Sequence, residues 1–346
     1  MKKILYLLFP LGLSAQVSTW SDTIHKLKYA NTIVVEDLQK HISVLAGDSL
    51  QGRETGQPGQ KMAANYIANF FKEIGIPPYK NNSYFQKFKV KTVKRYGKWK
   101  WDKNGILEKM LNNNYIRGEN IIGFIEGNDL KDEIVVITAH YDHLGIKDSL
   151  IYNGADDNGS GTVAIMEIAE AFMLAKKEGK GPRRSILIMP VSAEEKGLLG
   201  SKYYTENPIY PLENTIANLN VDMIGRIDSY NDNPNYIYLI GSDRLSTELH
   251  DISEVVNDKY INLELDYKYN EEDDPNRYYY RSDHYNFAKN NIPVIFYFNG
   301  VHADYHKPSD TIDKIHFPKV QKISRYIFLT AWELANRDER PKLNIY

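Results

Sequence analysis

Apolar runs alternate with amphipathic segments along most of this chain. The runs are rich in β-branched residues, as buried strands are, and span residues 120–127, 133–140, 184–192, 217–225, 235–241 and 291–298. Apolar residues recur at helical spacing in residues 34–45, 61–73, 160–175, 198–204, 246–256 and 320–335. Strands that alternate with helices predict a mostly parallel, mixed β-sheet with helices on both faces. Because no repeat or low-complexity linker divides the chain, we expect a single α/β domain.

The N-terminal residues 1–15 have the three-part pattern of a secretory signal peptide. Two lysines precede an apolar stretch over residues 4–13, and Ser14 and Ala15 supply small residues for cleavage. A short membrane anchor is the alternative, but spanning needs about 20 apolar residues, and Pro10 interrupts this stretch. No later segment is apolar enough to span. We therefore expect an exported protein, periplasmic or secreted, with no stable membrane association.

The sequence contains no cysteine. Disulfides, thiolate nucleophiles and metal sites built from thiolates are therefore excluded, and any metal must be held by histidine and carboxylate side chains. The net charge is −2 with both signs interspersed, so nothing indicates a face that binds nucleic acid. These exclusions direct attention to the histidines and acidic residues that follow the predicted strands.

Acidic residues and histidines follow three of the apolar runs. His140 and Asp142 stand at the end of one run, Glu194 and Glu195 follow the next, and Asp222 follows a third. In α/β sheets, ligands bind beyond the carboxyl ends of the strands. The run before Asp222 is too apolar for an unpaired carboxylate, which is rarely buried. The sequence therefore predicts a site at this edge of the sheet.

A glycine-rich turn with Asp157 in it opens the helix predicted at residues 160–175. The glycines permit a tight strand-to-helix turn, and a carboxylate here is either a helix cap or a ligand. A phosphate-binding loop is excluded because no Gly-Lys-Ser/Thr follows.

The adjacent carboxylates of Glu194 and Glu195 repel each other unless a cation or a proton accommodates them. Successive side chains diverge in extended backbone, so we expect one to be a metal ligand and the other to act on metal-bound water. Alternatively, the two glutamates are solvent-exposed residues at the start of a helix. Near the C-terminus, His302 and His306 are both candidate ligands, and Asp310 is either a helix cap or a partner of the site.

Taken in order, these motifs resemble those of the secreted co-catalytic zinc aminopeptidases, whose clan also holds plasma glutamate carboxypeptidases and glutaminyl cyclases. The family order is His-x-Asp, Asp-Asn-Gly-Ser-Gly, Glu-Glu, Asp and His. It is met here by His140 to Asp142, Asp157 to Gly161, Glu194-Glu195, Asp222 and His306. The resemblance runs from about residue 38 to the C-terminus. One departure is Asp156, where relatives often have asparagine.

The resemblance implies a zinc-exopeptidase fold with two Zn²⁺ per chain, bridged by Asp157. One zinc would be bound by His140, Asp157 and Asp222, and the other by Asp157, Glu195 and His306. Relatives with an inserted domain carry it between the first helices and the His-x-Asp strand. That interval is short here, so residues 16–346 are expected to form one zinc peptidase domain without an insert.

The implied activity is hydrolysis of the N-terminal residue of peptide substrates by a zinc-dependent aminopeptidase, through a metal-bridged hydroxide. Glu194 would be the general base, and Asp142 would be the hydrogen-bond partner of His140. Tyr305 would donate a hydrogen bond to the developing oxyanion.

Other activities are compatible with the same metal ligands. A carboxypeptidase or a dipeptidase is one alternative, and a glutaminyl cyclase is another. Cyclases lack part of the ligand set of the first metal, whereas His140 and Asp222 are both present here. Arg281 could bind a substrate carboxylate, which would suit a carboxypeptidase. The neighbouring tyrosines, including Tyr280, could line a pocket for an apolar or aromatic side chain, or lie at the surface.

Overall fold

The computed structural model describes residues 24–93, 98–101 and 115–345. The predicted signal peptide, residues 1–15, lies outside the described residues. Within the described ranges, no helix combines the length and the apolar character needed to cross a membrane.

The centre of the fold is a seven-stranded sheet with strand order β11-β10-β12-β9-β5-β8-β4. Its strands are β4 (Gly123–Ile125), β5 (Leu130–His140), β8 (Arg184–Val191), β9 (Thr215–Val221), β10 (Tyr236–Ile240), β11 (Glu264–Asp266) and β12 (Val294–Phe298). The pairs β5/β8, β5/β9, β9/β12 and β10/β11 are parallel, while β4/β8 and β10/β12 are antiparallel. The mostly parallel, mixed sheet predicted from the sequence is confirmed.

Helices pack against both faces of this sheet. They are α1 (residues 24–30), α2 (Val35–Leu45), α3 (Pro58–Ile74), α4 (Gly161–Lys177), α5 (Leu199–Glu206), α6 (Thr247–Val256), α7 (His284–Ala288) and α8 (Phe317–Asn336). Alternate residues of a strand face opposite sides. Val135 belongs to the large core that includes α2, α3, α4, α6 and α8, whereas Val136 packs in a second core with Tyr204 of α5 and Phe287 of α7.

Two smaller sheets accompany the central one. An antiparallel sheet of order β2-β1-β3 consists of β1 (Phe85–Val93), β2 (Lys98–Trp101) and β3 (Tyr115–Ile121). A hairpin joins β6 (Gly145–Lys147) to β7 (Leu150–Tyr152). The three-stranded sheet lies in the interval where no inserted domain is expected. Alternating apolar and polar residues over 86–93 predict β1, whereas the sequence pattern does not predict β2 or β3. Residues 94–97 and 102–114 of that interval lie outside the described residues.

The site depends on three neighbouring parallel strands, β9, β5 and β8. Their register pairs His140 with Val191 of β8 and Thr138 with Asn220 of β9. The carboxyl ends of all three strands therefore meet at one edge of the sheet. The residues that follow β8 and β9 reach the level of His140 at that edge.

Candidate metal centre

A first group of three donor atoms converges at the end of β5. Nε2 of His140 lies 3.2 Å from Oδ1 of Asp222 and 3.3 Å from Oδ1 of Asp157, and all three residues are buried. The other ring nitrogen, Nδ1, lies 3.1 Å from the backbone carbonyl oxygen of Asp142. This contact orients the imidazole so that Nε2 faces the two carboxylates.

A second group forms around the other oxygen of Asp157. Nε2 of His306 lies 3.1 Å from Oδ2 of Asp157 and 3.4 Å from Oε1 of Glu195. One carboxylate thus presents Oδ1 to the first group and Oδ2 to the second. The structure brings together all five residues proposed as metal ligands from the sequence.

His143 is a member of the second group that the sequence analysis did not single out. Its Nδ1 lies 2.9 Å from Oε1 of Glu195 and 3.7 Å from Oδ2 of Asp157, and its side chain is fully buried. The only signal in the sequence was a second histidine directly after Asp142. Spacing along the chain did not indicate its direction, because the backbone is no longer a strand beyond His140.

Asp310 stabilises the backbone of the turn that carries Asp157. The carboxylate of Asp310 accepts hydrogen bonds from the backbone N–H groups of Asp156, at 3.0 and 3.1 Å, and of Asp157, at 3.1 Å. Asp310 is therefore a partner of the metal-binding turn. Oδ1 of Asp156 accepts from the N–H of Gly225 at 2.6 Å, while Oδ2 lies 3.2 Å from Nε2 of His302. His302 thus contacts Asp156, and His306 is the histidine that faces the donor groups.

Ser282 orients the carboxylate of Asp222. The hydroxyl of Ser282 donates to Oδ2 of Asp222 at 2.6 Å and accepts from Nδ2 of Asn220 at 2.8 Å, which leaves Oδ1 directed at His140. The next residue, Asp283, is also buried, and burial raises its pKa to about 7. Ser282 therefore orients a residue of the first group, a role that the sequence analysis does not assign to it.

Asp142 connects the first group to the glutamate pair. Its Oδ2 accepts a hydrogen bond from the hydroxyl of Thr55 at 2.7 Å, and its Oδ1 accepts from the backbone N–H of Glu194 at 3.2 Å. The nearest approach of its carboxylate to Nδ1 of His140 is 3.8 Å. The hydroxyl of Thr55 also accepts from the N–H of Ala193 at 2.9 Å. The structure therefore places Asp142 where it fixes the backbone that carries Glu194.

The adjacent glutamates lie in different electrostatic surroundings. Burial raises the pKa of Glu194 well above its ordinary value, neighbouring carboxylates add to the effect, and the nearby His140 opposes it. Burial and Asp157 act in the same upward direction on Glu195, but contacts with two histidines outweigh them and lower its pKa to about 2. Glu195 is thus held as a carboxylate among donors, whereas Glu194 has the higher affinity for a proton of the two. Environments that separate two pKa values in this way are typical of divided roles in catalysis.

A cleft of about 370 Å³, counted together with its opening to solvent, lies beside the two donor groups. His140, Asp157, Glu194, Asp222 and His306 form its polar side, and the remaining wall consists of Met223, Tyr278, Arg281, Phe296, Phe298, Val301 and Tyr305. The ring of Tyr305 stacks on that of His306 with 3.9 Å between centroids. Two of the three residues proposed to contact substrate, Tyr305 and Arg281, therefore line this cleft.

Tyr280 is the proposed substrate-binding residue that the structure does not bring to the cleft. Its side chain is exposed and packs on Tyr285, with ring centroids 5.0 Å apart. Tyr278 lines the cleft instead. The three tyrosines form a single 3₁₀ turn, Tyr278–Tyr280, so their side chains point in different directions.

The donor atoms of both groups fit a divalent metal of the zinc type. Zinc binds His nitrogen and carboxylate oxygen at about 2.0–2.2 Å, so tetrahedral ligand atoms lie roughly 3.3–3.5 Å apart. The separations within the two groups run from 2.9 to 3.7 Å. Oε1 of Glu195 is buried without a hydrogen bond of good geometry among the described residues. Such a carboxylate oxygen, grouped with a carboxylate oxygen of Asp157 and facing two imidazoles, is accommodated by a cation.

Comparison with known proteins agrees with this geometry. The sequence profile of peptidase family M28 matches residues 120–331, which include every donor residue of both groups. The chain belongs to peptidase family M28. This M28 chain is 27% identical over 234 residues to "Aminopeptidase YwaD" of Bacillus subtilis (strain 168), an alignment that covers 65% of the chain and 46% of that protein.

Other proteins that resemble the chain in sequence or in fold are named as a carboxypeptidase and as an aminopeptidase. The chain is 39% identical over 105 residues to "Probable glutamate carboxypeptidase LAMP1" of Arabidopsis thaliana. This alignment covers 30% of the chain and 14% of that protein. The M28 chain thus spans less than half the length of these two curated relatives. The crystal structure of the Legionella pneumophila LapA aminopeptidase superposes with a TM-score of 0.66 at 22% identity, covering 98% of this chain and 79% of that one. At this identity the similarity shows the shared fold.

Proposed function

We propose that this M28 chain is a zinc-dependent exopeptidase that removes the N-terminal residue of peptides and holds two Zn²⁺ ions in the two donor groups. The observation that carries the proposal is the position of Asp157, whose two oxygens face different histidines at 3.3 Å (His140) and 3.1 Å (His306). A carboxylate shared in this way suits a pair of metals that act together on one bond. The curated relative named as an aminopeptidase supports the same function.

Each side chain of the site has a role in the proposed reaction. When bound, the two zinc ions would lower the pKa of a water molecule and polarise the scissile carbonyl group. Glu194 would accept the proton of that water and donate it to the leaving amine, a role for which a carboxyl group with a raised pKa is suited. The hydroxyl of Tyr305 would donate to the carbonyl oxygen as negative charge develops there.

The shape and charge of the cleft favour a free N-terminus. Carboxylates of Glu194 and Asp222 form part of its polar side and would attract the substrate ammonium group. Phe296, Phe298 and Val301 form an apolar wall that suits an aliphatic or aromatic side chain. We therefore propose leucyl- and phenylalanyl-type N-termini as the preferred substrates.

Arg281 is the observation that favours a second candidate function. Its side chain lines the same cleft, where a guanidinium group could bind a carboxylate through two parallel hydrogen bonds. The 39% identity to a protein named as a glutamate carboxypeptidase supports this alternative. A carboxypeptidase or dipeptidase with the same metal centre is accordingly the second candidate. Export through the signal peptide at residues 1–15 stays a prediction from the sequence.

Mass spectrometry of peptide products tests the proposed function. Zinc-loaded protein is incubated with aminoacyl amides, with their N-acetyl equivalents and with peptides that begin with glutamine. Loss of one N-terminal residue from the unblocked amides, abolished by a chelator and restored by zinc, is the expected result. Conversion of N-terminal glutamine to its cyclic form without hydrolysis would contradict the proposal and identify a glutaminyl cyclase.

A further inference from the structure

We propose that His143 is a protein ligand of the second metal, in addition to Asp157, Glu195 and His306. This inference rests on the proposed two-metal function and extends it by one residue. The first site is the position between the donors of the first group, which are His140, Oδ1 of Asp157 and Asp222. The second site is the position between Oδ2 of Asp157, Glu195 and His306, the donors of the second group. His143 belongs to the second site by position.

The distances place Nδ1 of His143 among the donors of the second site. It lies 2.9 Å from Oε1 of Glu195 and 3.7 Å from Oδ2 of Asp157, a range that brackets the roughly 3.3–3.5 Å between ligands of one tetrahedral zinc. His306 approaches the same two oxygens at 3.4 and 3.1 Å. The rings of His143 and His306 are separated by 5.9 Å between centroids and inclined by 64°. Two imidazoles therefore face one pair of carboxylate oxygens from different directions.

The burial of His143 has no explanation in hydrogen bonding. Neither Nδ1 nor Nε2 makes a hydrogen bond of good geometry within the described part of the chain, and the residue is 0% exposed. Leaving buried polar atoms unpaired destabilises the folded state. A metal on Nδ1 would remove one of the two unpaired atoms. Burial of this ring is consistent with a ligand role.

The backbone next to His143 is shaped to accept its ring. Gly154 has φ +55°, and a Cβ atom at that position would lie 2.5 Å from two atoms of the His143 ring and 2.1 Å from the carbonyl oxygen of Asp157. Only glycine permits this close approach. The imidazole is thereby packed against the same turn that presents Asp157.

His284 shows that burial alone does not define a ligand. It is also fully buried without hydrogen bonds from its ring nitrogens among the described residues. Its neighbours are aromatic, with Phe296 stacked at 4.7 Å and Tyr279 at 5.6 Å between centroids. His143 differs because two carboxylate oxygens lie within 4 Å of one ring nitrogen.

The number of ligands then predicts unequal metal binding. The second site would have four protein donors and the first three, so the zinc of the first site would keep more positions open. We expect the second site to fill first and to hold its zinc more tightly. Zinc added to metal-free protein would therefore bind in two steps of different affinity.

Competition with a chromogenic zinc chelator tests this assignment in the full-length protein. The variants are His143→Gln, His306→Ala as a benchmark for loss of a ligand, and His250→Ala as a control for loss of a histidine outside the two sites. His143→Gln should weaken the tighter step by more than about 100-fold, beyond the roughly 10–100-fold that follows loss of an outer hydrogen-bond partner. His250→Ala should match the wild type.

X-ray absorption at the zinc edge counts the imidazole ligands of the wild-type protein directly, so this measurement does not require that any variant fold. Three imidazoles per pair of zinc ions are expected, and two in His143→Gln. Two imidazoles in the wild type, or unchanged affinity in His143→Gln, would overturn the assignment of His143 while leaving the proposed function intact. A wild-type protein that binds no zinc would contradict the proposed function itself.

Discussion

Oδ1 of Asp157 lies 3.3 Å from Nε2 of the buried His140, which leaves Oδ2 directed at the second donor group. Replacing Asp157 by alanine should therefore weaken both metal sites and abolish peptide hydrolysis, because each site loses one oxygen ligand. Zinc content after dialysis is the measurement. Two retained zincs with normal activity in Asp157→Ala would show that this carboxylate does not bridge.

Asp156→Asn is the matched control for that experiment. Asp156 is the neighbouring buried carboxylate, and its Oδ1 accepts from the N–H of Gly225 and from the hydroxyl of Ser160, contacts that an asparagine oxygen can also make. The Asp156→Asn protein should keep two zincs and a folded structure by circular dichroism.

Changing each of the two adjacent glutamates to glutamine should have a different effect on zinc content and turnover. Glu194→Gln should retain both zincs and lose turnover by roughly 10²–10⁴, the range for general acid–base catalysis, because an amide cannot accept the proton. Glu195→Gln should lose the metal of the second site, because a neutral amide replaces a carboxylate that lies close to His306 and His143. Metal analysis and kcat are measured on both proteins. Equal zinc loss in the two variants would contradict the division of roles.

Thr55 is expected to act as a positioning residue through Asp142 and Ala193. Thr55→Val removes a donor to Asp142 and an acceptor for the N–H of Ala193, so the backbone before Glu194 loses its support. We expect kcat to fall by about 10- to 100-fold, as small misplacements of catalytic groups do, with KM and zinc content preserved. Thr55→Ser should restore the rate. A variant that loses only thermal stability, with kcat unchanged, would assign Thr55 to packing.

Tyr305→Phe tests whether the phenol hydroxyl acts in the reaction. The ring stacks on His306 and lines the cleft, and phenylalanine preserves both contacts. Loss of one donor to an oxyanion lowers kcat by roughly 10²–10³, so a decrease of that order with unchanged zinc content is expected. An unchanged kcat would limit Tyr305 to packing against the metal-binding loop.

Much of the fold and the donor set could be predicted because both follow from short-range patterns. β-branched runs predicted every strand of the central sheet except the short β11, and helical spacing predicted every helix except α1 and α7. The ends of neighbouring parallel strands must meet at one edge. His140 and Asp222 were therefore recognisable as neighbours although 82 positions separate them in the chain.

What could not be predicted depends on long-range contacts of the loops. The buried Arg53 donates to the backbone carbonyl groups of Tyr141, at 2.8 Å, of Asn153, at 2.7 Å, and of Gly154, at 3.0 Å, so it sets the paths of two loops at once. The direction of the His143 side chain follows from that arrangement, since the backbone N–H of His143 donates to the backbone carbonyl oxygen of Arg53 at 3.3 Å. No local pattern in the sequence contains this information.

Recognition of the substrate terminus tests the central claim most directly. The purified, zinc-loaded protein is given one leucine-initiated peptide in three forms, with both ends free, with the amine acetylated, and with the carboxyl group amidated. The account predicts release of leucine from the free and the amidated peptides at similar kcat/KM and no cleavage of the acetylated one. Cleavage of the acetylated peptide at its C-terminus, with none of the amidated peptide, would contradict it and make Arg281 the group that binds the substrate carboxylate.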